Sequence, residues 1–253
     1  MKVHFYHVGG ACFVLKIDED LLISCDPALS PAGTEYHFKS FSSIRVNPPI
    51  YEQNLFDSIN IWLISHAHED HIDEYGIRHI ADGSTVVAPK KAGALLDNHQ
   101  DVLTADWNDK ITFSKQGYTV EITVIPAYHG NNFIMRTIVG KVNGYFIRLS
   151  KGTVVRTVYV TSDTVYHPAI LRIVNKLGPI DLLIPNLGEV SPDTFGGPLT
   201  MSVKMLNMFV EQLKPKLIIP IHIDDFSHYT TTKTQVREMG FNIVDQGSWF
   251  QVF

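Results

Sequence analysis

Residues 61–74, I-W-L-I-S-H-A-H-E-D-H-I-D-E, constrain this chain more than any other stretch. An apolar run from Ile61 to Ile64 leads at once into His66, His68, Asp70 and His71. The run can end a buried strand, and the loop leaving it can fold those side chains back around a cation. His66 and His68 are two apart, so on extended backbone both point to the same side. Asp70 and His71 are adjacent and can diverge, so one short length of chain can serve two metals. The alternative is a polar helix start with histidines at the surface, which has no need of a strand in front of it.

Around this stretch the pattern alternates strands and helices. Strands are expected over 3–8, 12–17 and 21–25, separated by Gly9-Gly10 and the acidic turn Asp18-Glu19-Asp20. Residues 28–58 carry Pro31, Pro48, Pro49 and a Ser-rich segment over 40–43 in place of periodic hydrophobics. A connection that long is functional or unstructured. Its Tyr36, His37, Phe38, Phe41 and Arg45 fit either a wall over a substrate or an ordinary surface excursion. A short helix over 75–81 follows, then strands over 85–88, 102–104, 111–113 and 118–125. Asn143-Gly144, between apolar runs 136–142 and 145–149, predicts a hairpin. A β-branched strand over 154–160 stops at Thr161-Ser162-Asp163-Thr164, and a helix is expected over 165–177. Strand 181–184 precedes a Gly/Pro-rich loop, and Thr200 is placed to cap a helix ending near 213. Strand 217–219 ends in Pro220-Ile221-His222; a helix over 232–239 and strands over 241–244 and 249–253 close the chain. This rhythm fits an α+β fold, a four-layer αββα sandwich forming a single domain over 1–253.

Composition narrows the partners. Hydrophobic residues are 45% and charged residues 19%, below the usual figure of about 25%, which favours a compact, well-buried protein. The net charge is −5 and the 21 Lys and Arg are scattered without a basic run, which argues against long nucleic acid as a partner. Cys12 and Cys25 lie among apolar residues and are expected as free thiols. The opening M-K-V-H-F-Y-H-V lacks the apolar region of a secretory signal, and no run of about 18 apolar residues marks a membrane span. A cytoplasmic location is the expectation.

Side chains that follow an apolar strand are His66, His68, Asp70, His71, His129, Asp163 and His222. Five imidazoles and two carboxylates suit zinc, with manganese or iron also compatible. Seven ligands exceed the needs of one tetrahedral ion. They suffice for two divalent ions about 3.5–4 Å apart, sharing a carboxylate and a hydroxide.

The order His66-Ala67-His68-Glu69-Asp70-His71, then His129, Asp163 in T-S-D-T and His222 in P-I-H, resembles the metallo-β-lactamase superfamily of metallohydrolases. The early G-G-A-C-F-V-L-K and L-L-I-S-C-D-P, with G-P-L-T-M from Gly197, resemble the branch that includes ascorbate-6-phosphate lactonase and N-acyl-phosphatidylethanolamine phospholipase D. The resemblance implies that His66, His68 and His129 hold a first metal and that Asp70, His71 and His222 hold a second. Asp163 would bridge them, and Asp70 would also orient the bridging hydroxide and accept its proton as the catalytic residue. It implies hydrolysis of a lactone, ester or amide bond in a small molecule, with a phosphodiesterase or nuclease as the alternative. Ser162 stands where many relatives have Gly. Tyr128, Tyr166, His167, His228 and Tyr229 are weaker candidates for donating a proton. Asp26, Asp224, Asp225 and Glu189 are candidates for orienting the histidines, and Arg45 and Arg136 for clamping an anion. Loops 28–58, 131–135 and 186–198 are where specificity is expected.

Overall fold

The alternating apolar pattern at the start of the chain folds as expected, into a meander of β1 (Val3–Gly9), β2 (Cys12–Ile17) and β3 (Leu21–Cys25). A computed structural model describes residues 1–38, 41–96, 99, 101–191 and 197–253. The turn between β1 and β2 passes through Gly9 and Gly10 with φ of +142° and +58°, a conformation that costs glycine little. Beside β3 lie the parallel strands β6 (Ile61–Leu63), β7 (Thr85–Ala88) and β8 (Val102–Thr104), and β15 (Trp249–Gln251) closes the other edge against β1. Helix α1 (Glu74–Ile77) follows the ligand-rich loop, and α2 (Lys90–Gly93) follows β7.

The second sheet runs β14-β13-β12-β11-β10-β9, with β9 (Lys110–Lys115), β10 (Tyr118–Ala127), β11 (Val142–Lys151), β12 (Val154–Ser162), β13 (Leu182–Pro185) and β14 (Leu217–Ile218). Its register corrects one expectation. Asn143-Gly144 does not turn a hairpin; it lies inside β11, with Asn143 opposite Pro126 and Gly144 opposite Ile125. Residues 133–139 are a helix, α3 (Phe133–Val139), not a strand. The pair is held extended from both sides. Asn143 donates from its backbone to Ser65 O at 3.0 Å and from its amide to Ala105 O at 2.9 Å. A Cβ at Gly144 would stand 3.1 Å from Thr161 O. Tertiary pairing has overridden a strong local turn signal.

Three apolar layers make the sandwich. Phe5, Phe13, Leu15 and Ile23 of the first sheet meet Val120, Ile147, Val158 and Leu182 of the second. On the outer face of the second sheet, Phe146 and Leu183 pack against α4 (Pro168–Leu177) and α5 (Val203–Leu213). On the outer face of the first, Val14, Trp62 and Val86 pack against Phe56, Ile72 and Ala92. The fold is thus αββα, as the rhythm of the sequence implied. Cys12 belongs to the outer layer and Cys25 to the inner, so the two free thiols sit on opposite faces of one sheet. Among the described residues no helix is long and apolar enough to cross a membrane.

Local chemistry sets the helix ends. His167 caps α4 ahead of Pro168, and Gly178 ends it with φ +112°. Ser202, not Thr200, caps α5, its hydroxyl accepting from Met205 N at 3.2 Å. Thr200 instead accepts from Val190 N at 2.8 Å. Helix α6 (Lys233–Glu238) begins with a reciprocal capping box between Thr232 and Gln235. The expected strand over 241–244 does not form. Residues 28–58 are not a bare loop, for β4 (Glu35–Phe38) and β5 (Phe41–Ile44) pair as a hairpin. Ser40 of the Ser-rich segment and residues 192–196 of the 186–198 loop lie outside the described residues.

One buried carboxylate outside the site gives a stability prediction. Asp181 accepts from Thr157 N at 2.9 Å and from Lys216 Nζ at 2.7 Å. Burial pushes this carboxyl up, but the Lys216 and Thr157 bonds outweigh burial and hold it below its ordinary value. Its contribution is therefore present above the unfolded carboxylate pKa of about 3.9 and is lost as pH falls through the lower folded value. Asp181→Asn is expected to destabilise by about 1–3 kcal/mol at pH 7. In urea melts that gap should narrow as pH falls below the unfolded carboxylate pKa and close once the lowered folded value has been passed; a gap unchanged by pH would refute the assignment.

Candidate metal centre

Strand ends deliver the polar side chains to one place. β6 is buried on both faces between β3 and β7 and continues through Ile64 and Ser65 to His66. His68 O then accepts from His71 N at 2.9 Å and Ile72 N at 3.0 Å, a tight turn that brings Asp70 and His71 back over the strand end. β10 ends two residues before His129, and β12 ends at Ser162, one before Asp163. His222 follows β14 and is fixed by its own N–H, which donates to Gly10 O at 3.0 Å. Asp26, Ser162 and His222 have φ of +43°, +52° and +65°. Such left-handed backbone is strained for residues with a Cβ and persists where surrounding structure dictates it. At 162 it is a conformation that glycine would adopt more readily than serine.

All seven side chains singled out in the sequence converge. Ligand-type atoms of His66, His68 and His129 lie within 4.8 Å of one another, as do those of Asp70, His71 and His222, and those of His66, His71 and Asp163. His66 Nε2 is 2.9 Å from His68 Nδ1. Asp163 sits between the groups, with Oδ2 3.2 Å from His71 Nε2 and 3.7 Å from His129 Nε2, and Oδ1 3.6 Å from His222 Nε2. Among the described residues, His222 Nε2 and Asp70 Oδ1 are buried with no hydrogen-bond partner. Orphaned donors and acceptors in a buried polar cluster are costly unless something else engages them. A cation fits that role, and the donor set suits a borderline metal.

Electrostatics point the same way. Burial, reinforced by neighbouring imidazoles, holds His66 well below its ordinary pKa and pushes His68 down to about 4. Burial also lowers His129, although Asp163 opposes it. Burial works against charge on His71 too, but Asp163, Asp70 and Asp26 outweigh it and raise His71 well above the usual range. Asp70 and Asp163 resist burial and stay well below theirs because histidines surround them. The pocket disfavours charge on His66, His68 and His129, keeps both carboxylates ionised and makes the His71 position strongly favourable to positive charge.

A family model described as the Beta-lactamase superfamily domain matches residues 23–223. The chain belongs to this superfamily. A relative in Pyrococcus furiosus, named a UPF0173 metal-dependent hydrolase, is 31% identical over 169 residues, spanning 66% of this chain and 68% of its own. A second with the same family name, from Pyrococcus abyssi, is 28% identical and spans 94% and 92%. Among solved structures, a possible metal-dependent hydrolase from Veillonella parvula superposes with a TM-score of 0.82 at 20% identity, covering 99% of each chain. The metallo-β-lactamase fold is thereby shown, and the superfamily's curated members similar to this chain are named metal-dependent hydrolases.

Around the superfamily motif, orienting contacts come from several sources. Asp26 Oδ1 accepts from Ser65 N at 2.7 Å, and Asp26 Oδ2 lies 2.8 Å from His71 Nδ1. Ser65 Oγ is also 2.9 Å from His66 Nδ1. His129 Nδ1 donates to Leu199 O at 2.9 Å, which leaves Nε2 bare toward Asp163. Asp26 was legible as an orienting group, but Ser65 and Leu199 O were missed. Ser65 could have been found from its place directly before His66; a carbonyl 70 residues from its histidine leaves no sequence signal. Asp225 acts at one remove, accepting from Gly10 N at 2.6 Å while Gly10 O holds His222. Asp224 accepts from Lys233 N at the start of α6, and Glu189 has no contact of this kind with a site histidine among the described residues.

Of the weaker candidates, two reach the site. Tyr229 donates its hydroxyl to Asp70 Oδ2 at 3.2 Å and lays its ring on His222 with centroids 3.9 Å apart. Burial, with Asp70 beside it, raises the phenol well above its usual pKa, so it remains a donor. His228 Nε2 is 3.3 Å from Asp70 Oδ2, and its Nδ1 meets Ser43 Oγ at 2.5 Å. Tyr128 and His167 instead pack on each other, and Tyr166 packs on Phe209. Neither arginine clamps anything in the site. Arg45 is buried and donates to Ala28 O and Asn47 O, while Arg136 donates to Gly130 O and lies over the Tyr128 ring.

Above the metal-type side chains opens a cavity of about 390 Å3. Phe38, Phe41, Val190 and Leu199 give it an apolar wall, and Ile138, Val139, Lys91 and Lys141 contribute another part of its lining. The 28–58 segment therefore supplies part of the cavity wall, through the hairpin of β4 and β5.

Proposed function

We propose that this chain is a dinuclear metal-dependent hydrolase acting on a lactone, ester or amide bond of a small molecule. His66, His68 and His129 would hold one divalent ion, zinc first among candidates, and Asp70, His71 and His222 the other, with Asp163 shared between them. The observation that carries the reading is Asp163, whose carboxylate faces imidazoles of both groups at 3.2–3.7 Å. A bound metal pair supplies Lewis acidity toward a carbonyl oxygen and a water of lowered pKa.

The chain's own residues divide the remaining work. Asp70 is the proton acceptor for the attacking water, with Oδ2 held by Tyr229 and His228 so that the carboxylate cannot rotate away. Asp26, Ser65 and Leu199 O fix the rings of His71, His66 and His129, which keeps the ligating nitrogens converged without further ordering. Phe38 and Phe41 keep water from part of the cavity. A carbonyl substrate is favoured over a phosphodiester because Arg45 and Arg136, the residues best suited to gripping phosphate, are engaged elsewhere. The opening and G-P-L-T-M motifs support a lactonase-like substrate on the same reading.

The experiment is turnover by zinc-loaded and manganese-loaded protein on a panel of lactones and aryl esters beside bis-p-nitrophenyl phosphate. Hydrolysis of a carbonyl substrate that chelation abolishes and zinc restores is expected. Turnover of the phosphodiester alone would overturn the choice of substrate class.

A further inference from the structure

Two lysines line this cavity, and of them and the two candidate arginines, three cations are committed elsewhere. Arg45 is buried against backbone carbonyls, and Arg136 is bound to Gly130 O and stacked on Tyr128. Lys141 lies on the cavity wall, but its Nζ is 2.5 Å from Asp106 Oδ2 and faces the Trp107 ring. Lys91 differs. It lines the same cavity, is exposed, and among the described residues has no carboxylate or hydrogen-bond partner. Its Nζ lies beside Gly140, 3.5 Å from where a Cβ would stand there. Lys91 comes from the first sheet's side and Gly140 from the second's, so the ammonium stands where the two halves of the sandwich meet at the cavity.

The rest of the lining decides what such a cation serves. Phe38 and Phe41 stack at 4.8 Å and pack against a cluster containing Val190 and Leu199, a continuous apolar surface. Glu69 is an exposed carboxylate on the same lining and repels an anion from its own neighbourhood. An apolar body on the phenylalanine wall and a negative group at Lys91 satisfy both features at once.

We infer that Lys91 is the anchor for an anionic group on the substrate, and that the substrate class is a small apolar acid, a carboxylate borne on a hydrocarbon body. The inference rests on the hydrolase reading for what is cleaved, but not for what is bound. A charge-assisted hydrogen bond to the ammonium fixes one end of the molecule. The apolar body packs on the hairpin, and the scissile bond lies over the histidine cluster between them.

Two measurements test it on metal-loaded protein. In calorimetry, octanoate is expected to bind at least about tenfold more tightly than octan-1-ol, and octylammonium more weakly than either. Lys91→Met should erase the preference for octanoate and Lys91→Arg should retain it, while Glu69→Gln should leave it in place or strengthen it. A preference unchanged in Lys91→Met would mean that the carboxylate is held elsewhere, at the metals above all, and would overturn the inference. In kinetics, the ratio of kcat/KM for mono-p-nitrophenyl glutarate over p-nitrophenyl pentanoate should fall about tenfold in Lys91→Met and recover in Lys91→Arg. Turnover of both esters with no charge preference would sink the role of Lys91 and spare the hydrolase reading. Absence of turnover alongside Lys91-dependent octanoate binding would do the reverse.

Discussion

Asp163→Asn is expected to strip metal from both halves of the centre at once, whereas His68→Ala and His222→Ala should each strip only one. The expectation follows from where the carboxylate sits. Its Oδ2 faces His71 and His129, and its Oδ1 faces His222 and accepts from Asn186 Nδ2 at 2.9 Å. The amide keeps the size and the capacity to accept from Asn186 but loses the negative charge that both cations would share. Metal analysis after dialysis should give about two equivalents for wild type, about one for each histidine variant and near none for Asp163→Asn. Hydrolysis should fall by at least about 10³-fold, since a two-metal site owes several kcal/mol of transition-state stabilisation to the pair. Asp163→Asn retaining two equivalents would remove the shared carboxylate from the scheme.

What made this centre legible is that every candidate ligand follows an apolar strand, so chain order alone predicted convergence at one end of the sheets. His66, His129, Asp163 and His222 all obey that rule, and the structure brings them together. The αββα layering was legible for the same reason, because strands such as β1, β2 and β12 carry their own burial pattern. What failed depended on partners distant in sequence. Asn143-Gly144 reads as a turn locally, yet Ser65 O, Ala105 O and the flanking strands hold it straight. Thr200 and Ser202 are both plausible caps, and only the bond from Val190 N, beside Gly188 and His222, takes the Thr200 hydroxyl away from the helix. Arg45 looked like a substrate clamp because a loop arginine before a ligand cluster usually faces solvent. Here it is folded inward to satisfy the carbonyls of a segment with little secondary structure of its own. Lys91 carried no signal at all, since its meaning comes from Gly140 on the other sheet's side.

Gly188→Ala should disable the His222 half of the centre without touching any ligand. A Cβ at this position would stand 2.8 Å from His222 Nδ1, 3.0 Å from Cε1 and 3.2 Å from Thr200 Oγ1. The first of these is closer than side-chain atoms tolerate, and it meets a ring, not the free end of a flexible chain. The imidazole has little room to retreat, because the Tyr229 ring lies 3.9 Å away and the backbone N–H is tied to Gly10 O. Among the described residues Nδ1 has no hydrogen-bond partner, so no bond resists the push, and the displacement passes to Nε2. A shift of about 1 Å in a positioned group can cost about 10²-fold in rate, and that is the loss expected in kcat/KM. Metal content should fall toward about one equivalent per chain, with the Asp70, His71 and His222 group emptied first. The overpacking itself is expected to cost about 1–3 kcal/mol, which a thermal melt of the metal-free protein measures separately. Full metal content and unchanged kcat/KM in a folded Gly188→Ala protein would show that His222 is not held where the second ion needs it.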